Sequence, residues 1–292
     1  MHVSPRYYQP NTLDEALDLV SRLKGKASVL AGGTDLVIRM REERSGVRHV
    51  INIKHIPGLD VIDCRDREIW IGPLVTHRQV IQSSLPEELA VLMEGCDAVG
   101  TTQIRNVATI VGNICNASPS ADSVPALLAL GAGVEIASTE NKRIVPIEEF
   151  FVGPFRTVLQ SGEIVTGLRI HLPPSRASFA GGTYQWLPKV TKTDETLAGA
   201  AVFLELDPNS KTVLRARVGL ASVAPTPMRA RQAEEFLQGK EIRPDVARRA
   251  GEIAGNEARP RSRAGYRRRL ISALVEKAIV RAGEMDAKRG AV

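Results

Sequence analysis

The chain has 292 residues, 43% of them hydrophobic and only 4% aromatic, with a net charge of +6 and three cysteines. Such a length holds two modest domains, or one with subdomains, around aliphatic cores. No run of about 18 apolar residues occurs, which argues against a membrane-spanning helix. The opening MHVSPRYYQPNTLDEA lacks the apolar stretch of a signal peptide. Cys64, Cys96 and Cys115 are far apart and form no C-x-x-C pair. That spacing argues against a disulfide frame and against an iron–sulfur or zinc site on this chain. A reducing, cytoplasmic location is the expectation.

In chain order, Thr12 to Glu15 is a capping box, and Leu13, Ala16, Leu17, Val20 and Leu23 follow at helical spacing until Gly25. Ser28 to Ala31 is a short strand running into Gly32-Gly33. Leu36, Val37, Ile38 and Met40 predict a buried segment after that turn, and Val47 to Ile53 predicts another strand. The first sixty residues thus read as a small α/β unit. Glu68 to Gly72 predicts a strand, Thr76 to Gln79 a helix start, Pro86 to Met93 a short helix and Val124 to Leu130 a buried helix. Gly133 to Ala137 and Arg143 to Pro146 form a hairpin pattern, and Glu163 to Leu172 a strand that Pro173-Pro174 ends. The stretch PPSRASFAGG (173–182) is the expected domain boundary. Beyond it come a hairpin of Ala198 to Leu206 and Val213 to Ala221, then helices over 229–237, 244–257 and 266–282. The last helix places Leu270, Leu274, Ala278 and Ile279 on one face.

The positive charge concentrates at Arg259, Arg261, Arg263, Arg267, Arg268 and Arg269. No aromatic platform accompanies them, which favours a solvated helix start or a subunit contact over nucleic acid. His2, His49, His55, His77 and His171 lie in unrelated contexts and read as surface or satisfied structural residues. G-x-G-x-x-G, P-loop, H-E-x-x-H and G-x-S-x-G patterns are all absent.

Two small-residue turns remain. One is Ala31-Gly-Gly-Thr-Asp35; the other begins at Thr109-Ile-Val-Gly-Asn113 and is followed by Asn116 to Asp122. On spacing alone the second is a plain helix-capping turn. As a pair, the two turns could clamp a pyrophosphate through unobstructed N–H groups, with Thr34, Thr109 and Asn113 adding side-chain bonds. Asp122 could accept a hydrogen bond from a ring N–H. A side chain at Gly32 or Gly33 is then expected to displace the anion and leave the cores intact.

VLAGGTDLVIRM, QIRNVATIVGNICNASPSADSVPALLALGA and FFVGPFRTVLQSGEIV, in this order, resemble the FAD-binding (medium) subunit of the molybdenum hydroxylases. These are the carbon monoxide dehydrogenase medium subunits and the FAD-binding subunits of xanthine dehydrogenases. The resemblance covers nearly the whole chain, including YRRRLISALVEKAI. It implies an α+β chain with a PCMH-type FAD-binding domain over 1–175, in subdomains of about 1–58 and 59–175. A C-terminal domain over 176–292 would add a three-stranded antiparallel sheet with helices. Carried over by position, Val29, Leu30, Ala31, Gly32, Gly33, Thr34, Asp35 and Leu36 form the first FAD loop. Thr109, Ile110, Val111, Gly112 and Asn113 form the second, Asp122 lies near the flavin or its ribityl chain, and Val99 and Val165 match apolar flavin contacts. No catalytic acid or base is implied.

By the same resemblance, FAD collects electrons from 2Fe–2S clusters on a small subunit. A molybdenum cofactor on a large subunit oxidises the substrate, and an acceptor such as NAD takes the electrons. A dimer of heterotrimers is the implied assembly, with no nucleic acid and no membrane span. The rival readings are a flavin-free assembly subunit and a stand-alone FAD oxidoreductase. Two positions depart from the family. Val111 stands where its relatives carry a glycine, so its Cβ is expected to obstruct close approach or a positive φ. Gln185 and Trp186 stand where a lysine often follows the aromatic residue, so Lys189 is the nearest base. Asp194 matches an acid that often precedes the next strand, or is a strand-entry cap.

Overall fold

The computed structural model describes residues 5–41, 46–173 and 179–289, so His2 and positions 174–178 of the expected boundary lie outside the described residues. The first unit runs β1 (Arg6–Tyr8), α1 (Leu13–Leu23), β2 (Ala27–Leu30), α2 (Leu36–Arg41), β3 (His49–Asn52). Its three strands are parallel in the order β1-β3-β2, as crossover helices require. Thr12 caps α1 by accepting from Glu15 N–H, while the Glu15 carboxylate accepts from Asn11 rather than from Thr12. Ala16, Leu17 and Val20 pack on Ile51 and Ile53. The segment after the first turn is not buried. Val37 and Ile38 on α2 are 40% and 55% exposed, because no described element of the unit covers this side of the short helix.

The middle unit continues with β4 (Ile62–Arg65), β5 (Glu68–Ile71), α3 (His77–Gln82), a 3-10 turn (Glu87–Leu89), α4 (Ala90–Asp97), α5 (Thr102–Arg105), α6 (Ile110–Asn116) and α7 (Ser123–Leu130). Then follow β6 (Gly133–Ala137), β7 (Lys142–Pro146), α8 (Ile147–Phe150), β8 (Phe151–Gly153), β9 (Arg156–Thr157) and β10 (Ile164–His171). The antiparallel sheet has the order β4-β5-β10-β6-β7. The Thr76/Gln79 capping box starts α3. Its first residue, His77, is buried, and neither ring nitrogen has a hydrogen-bond partner. Burial first, and then Arg105, pushes its pKa down to about 4, so the ring is neutral. It is therefore neither of the two kinds of histidine expected. Every residue of α7 is buried, which fits a helix apolar on all sides.

The third unit is β11 (Phe179–Pro188), β12 (Thr196–Leu206), β13 (Val213–Ala221), β14 (Met228–Arg229), α9 (Arg231–Leu237), α10 (Pro244–Glu257) and α11 (Ala264–Arg289). Its four strands are antiparallel in sequence order, one more than the family resemblance implies. Gly181 and Gly182 belong to β11 and pair with Leu204 and Phe203 rather than forming a linker. On α11 the fully buried residues are Ile271, Val275, Ala278, Ile279 and Ala282, so Ala278 and Ile279 lie as expected, while Leu270 and Leu274 are half-buried and pack at the edge of the core. Gly251 and Gly255 let α10 approach the backbone of α11 at Ser272 and Arg268. Ile271→Ala is expected to cost about 2–5 kcal/mol in denaturant unfolding, and Leu270→Ala clearly less. Equal losses would return the buried face to Leu270 and Leu274.

Candidate functional site

The first turn, Ala31 to Asp35, leaves β2 with Gly33 at φ 82°, a value that suits glycine. It packs directly on the second. A Cβ on Gly32 would collide with the Val107 carbonyl and lie 2.9 Å from Ala108 Cα. The second segment is a capped helix start. Thr109 is the N-cap of α6 and its Oγ1 accepts from Gly112 N–H at 2.9 Å. Val111 sits inside that helix with its side chain in the core and no positive φ. The positive φ feared for Val111 is thus absent, while the residue still lines the apolar pocket beside the turn.

Two cavities meet at these segments. A polar cleft of about 380 Å³ is lined by Gly32, Gly33, Thr34, Asp35, Val99, Thr109, Asn113 and Asp122 among others. A more apolar pocket of about 450 Å³ is lined by Val29, Val111, Ile53, Leu159, Ile164 and Val165 among others. Ala31, Leu36, Arg39, Gly112 and Cys115 line both, so the two spaces adjoin. Of the residues expected to bind a cofactor, all but Leu30, Ile110 and Lys189 line one or both. The Leu30 side chain faces Gly33. Ile110 is wholly buried, and its N–H donates to Val75 O. Lys189 pairs with the Glu195 carboxylate, and it is Glu195 that reaches the cleft.

Asp122 is the most constrained group in the wall. It is 7% exposed, and its Oδ1 accepts from Tyr184 O–H at 2.7 Å and from Thr196 O–H at 2.5 Å. Its Oδ2 has no partner among the described residues. Burial raises its pKa to about 6 against those two hydrogen bonds, and the Glu195 charge adds to the rise. The Tyr184 phenol is pushed well up by burial and by the Asp122 charge. Glu195 is held below the usual carboxylate range, chiefly by Lys189, and also accepts from Ser120 O–H at 2.7 Å. Asn113 Oδ1 accepts from Ser123, which leaves its amide N–H groups free to donate. Asp194 accepts from Thr191 N–H at 2.7 Å and so caps the turn between β11 and β12.

Sequence reading missed Arg39, Asn116, Ser120 and Glu195. Arg39 Nη2 donates to Asn116 Oδ1, and Asn116 Nδ2 donates to Asp35 Oδ1, both at 2.9 Å. The spacing of Asp35, just before α2, and Arg39, four residues on within it, was the available signal. Among the described residues no three His, Cys, Asp or Glu side chains are grouped to hold a metal. No described helix is long and apolar enough to cross a membrane.

A polar cleft continuous with an apolar pocket fits a dinucleotide. The cleft is the more polar of the two spaces, as a diphosphate needs, and the pocket the more apolar, as a flat ring needs. Residues 2–175 match the FAD binding domain in molybdopterin dehydrogenase, and residues 183–282 match the CO dehydrogenase flavoprotein C-terminal domain. The xanthine dehydrogenase FAD-binding subunit of Escherichia coli is 32% identical, with 94% of each chain covered. The carbon monoxide dehydrogenase medium chain of Afipia carboxidovorans is 29% identical over 94% of this chain and 96% of that one. A crystal structure of the Cu,Mo-CO dehydrogenase superposes with a TM-score of 0.89, at 29% identity over 97% of this chain and 99% of that one.

Proposed function

The chain belongs to the FAD-binding subunits of the molybdenum hydroxylases, and we propose that it is the electron-transfer subunit of such a complex. It takes electrons from 2Fe–2S clusters on a small partner and passes them through FAD to an external acceptor, while a large partner carries the molybdenum cofactor and meets the substrate. The observation that carries this reading is the cleft itself. Two glycine-containing segments form its floor, and a buried carboxylate backed by the third unit forms its wall. FAD, when bound, couples one-electron donors to two-electron acceptors.

The chain's own part is to bind, orient and shield. Gly32, Gly33 and Thr34, through their backbone amides, and Asn113, through its side-chain N–H groups, would hold the diphosphate. Val29, Leu36, Val111 and Val165 would line the apolar part of the site. Asp122 addresses the flavin half through its free oxygen, with Tyr184 and Thr196 fixing the carboxylate. No side chain in the cleft is placed as a nucleophile with its base, so none is assigned a proton-transfer role. The same reading divides the chain near residue 175.

An absorption spectrum of the purified chain, alone and co-expressed with its genomic neighbours, tests this. Flavin bands, FAD released on denaturation in a one-to-one ratio, and bleaching by substrate only in the complex are the expected results. A folded but colourless chain in both preparations would indicate a flavin-free assembly subunit. Turnover by the chain alone would indicate a stand-alone oxidoreductase.

A further inference from the structure

We propose that Arg39 is the cation that holds the cofactor's diphosphate, positioned by Asn116 and Asp35. This rests on the reading that the cleft takes FAD. The charges around the two cavities point to this residue. The polar cleft is lined by three carboxylates, Asp35, Asp122 and Glu195, and the apolar pocket by Glu163. Against these, Arg39 is the one lysine or arginine among the described residues lining either space. A diphosphate, negatively charged on both phosphates at neutral pH, would enter a wall of net negative charge without it. Glu195 and Glu163 are already compensated outside the cavities, by Lys189 and Arg143. Among the described residues Asp35 has only the Asn116 amide as a side-chain partner, and Arg39 stands beyond that amide.

Its place and its free valences fit the task. Arg39 lines both cavities, at the junction where the link between the two halves of a dinucleotide must pass. Of its five N–H groups, one donates to Asn116 Oδ1 and no other acceptor occurs among the described residues. A planar guanidinium with a free edge can meet two phosphate oxygens at once. The side chain is exposed, and an exposed arginine is ordinarily free to sample many rotamers. Here the Asn116 amide is turned so that its oxygen faces Arg39 and its nitrogen faces Asp35, which ties the end of α6 to α2.

The test is titration of the deflavinated full chain with FAD and with riboflavin, which lacks phosphate, at several salt concentrations. Arg39→Gln is expected to weaken FAD by roughly tenfold or more, as loss of a charged hydrogen bond does. It should leave riboflavin within about twofold and flatten the salt dependence of FAD binding, which screening of a charge pair predicts. Arg39→Lys should recover part of the loss, keeping the charge without the fork. Asn116→Ala should weaken FAD less and retain the salt dependence. Unchanged FAD affinity in Arg39→Gln, or an equal loss for FAD and riboflavin with salt dependence intact, would overturn the proposal. The salt dependence decides even where riboflavin binds too weakly to titrate. An unaltered chain that binds neither ligand would instead overturn the reading of the cleft, and Arg39 with it.

Discussion

At pH 8 the cofactor-free Asp122→Asn chain is expected to melt above the unaltered chain, and at pH 4 the two are expected to melt together. Asp122 has a pKa of about 6 in the folded chain against 3.8 for the free group, and burial is the main cause. Between those values the folded state holds a proton that the unfolded state has released, so stability falls as pH rises from about 4 to about 6 and then levels off. The full penalty above pH 6 is about 1–3 kcal/mol at 1.36 kcal/mol per pKa unit. An asparagine carbonyl can accept from Tyr184 and Thr196 as Oδ1 does, without the buried charge. The groups that face Asp122 are Tyr184, Thr196 and Glu195, and only Glu195 carries a charge of its own near neutrality. Glu163, Glu195 and Asp207 have lowered pKa values and lose stabilisation in acid. They are common to both chains, so the difference in melting temperature isolates Asp122. An Asn variant less stable at pH 8 would show that the two hydrogen bonds favour the carboxylate more than burial opposes it.

Gly32→Val is expected to abolish FAD retention and to destabilise the first unit as well. The expectation that the cores survive such a change does not hold, because the space beside Gly32 belongs to the backbone of Val107, Ala108 and Thr109 rather than to the cofactor. Backbone atoms cannot step aside by changing rotamer, so the two segments must part. Overpacking of this kind costs typically about 1–3 kcal/mol, and a collision with backbone falls at the upper end. Gly33 differs. A Cβ there would meet only the side chains of Leu30, at 2.9 Å, and Val37, at 3.4 Å, and the strain comes instead from its φ of 82°. Gly33→Ala should therefore cost about 1–2 kcal/mol through the backbone alone. Thermal melts and FAD stoichiometry of both variants check this. A Gly32→Val chain that melts normally and keeps its flavin would refute the packing argument.

The elements most legible in the sequence were those with strong local chemistry. The Thr12 and Thr76 caps, the apolar α7 and the β12–β13 hairpin all lie where their residues indicate. Strand β11 was not legible, because Gly181 and Gly182 sit in a Pro- and Ser-rich stretch. Gly182 earns its strand position only through the close approach of Val202 and Phe203. The exposure of Val37 and Ile38 was illegible for the opposite reason, since apolar side chains at an uncovered rim look like core in a one-dimensional pattern. The floor of the cleft could be read from two short motifs. Its charges could not, because Arg39 meets Asn116, and Ser120 meets Glu195, across more than seventy residues of chain.

That the cleft draws on all three units fixes when it can first exist. Gly33 leaves the ribosome early, whereas Tyr184, Glu195 and Thr196 follow much later and must first pair within β11 and β12. At about 5–20 residues per second, roughly 8 to 30 seconds of synthesis separate the first glycine turn from the wall that faces it. If the cleft holds the flavin, as proposed, loading is expected late in the life of the chain. A nascent chain halted before Thr196 carries both glycine segments and is expected to hold no cofactor.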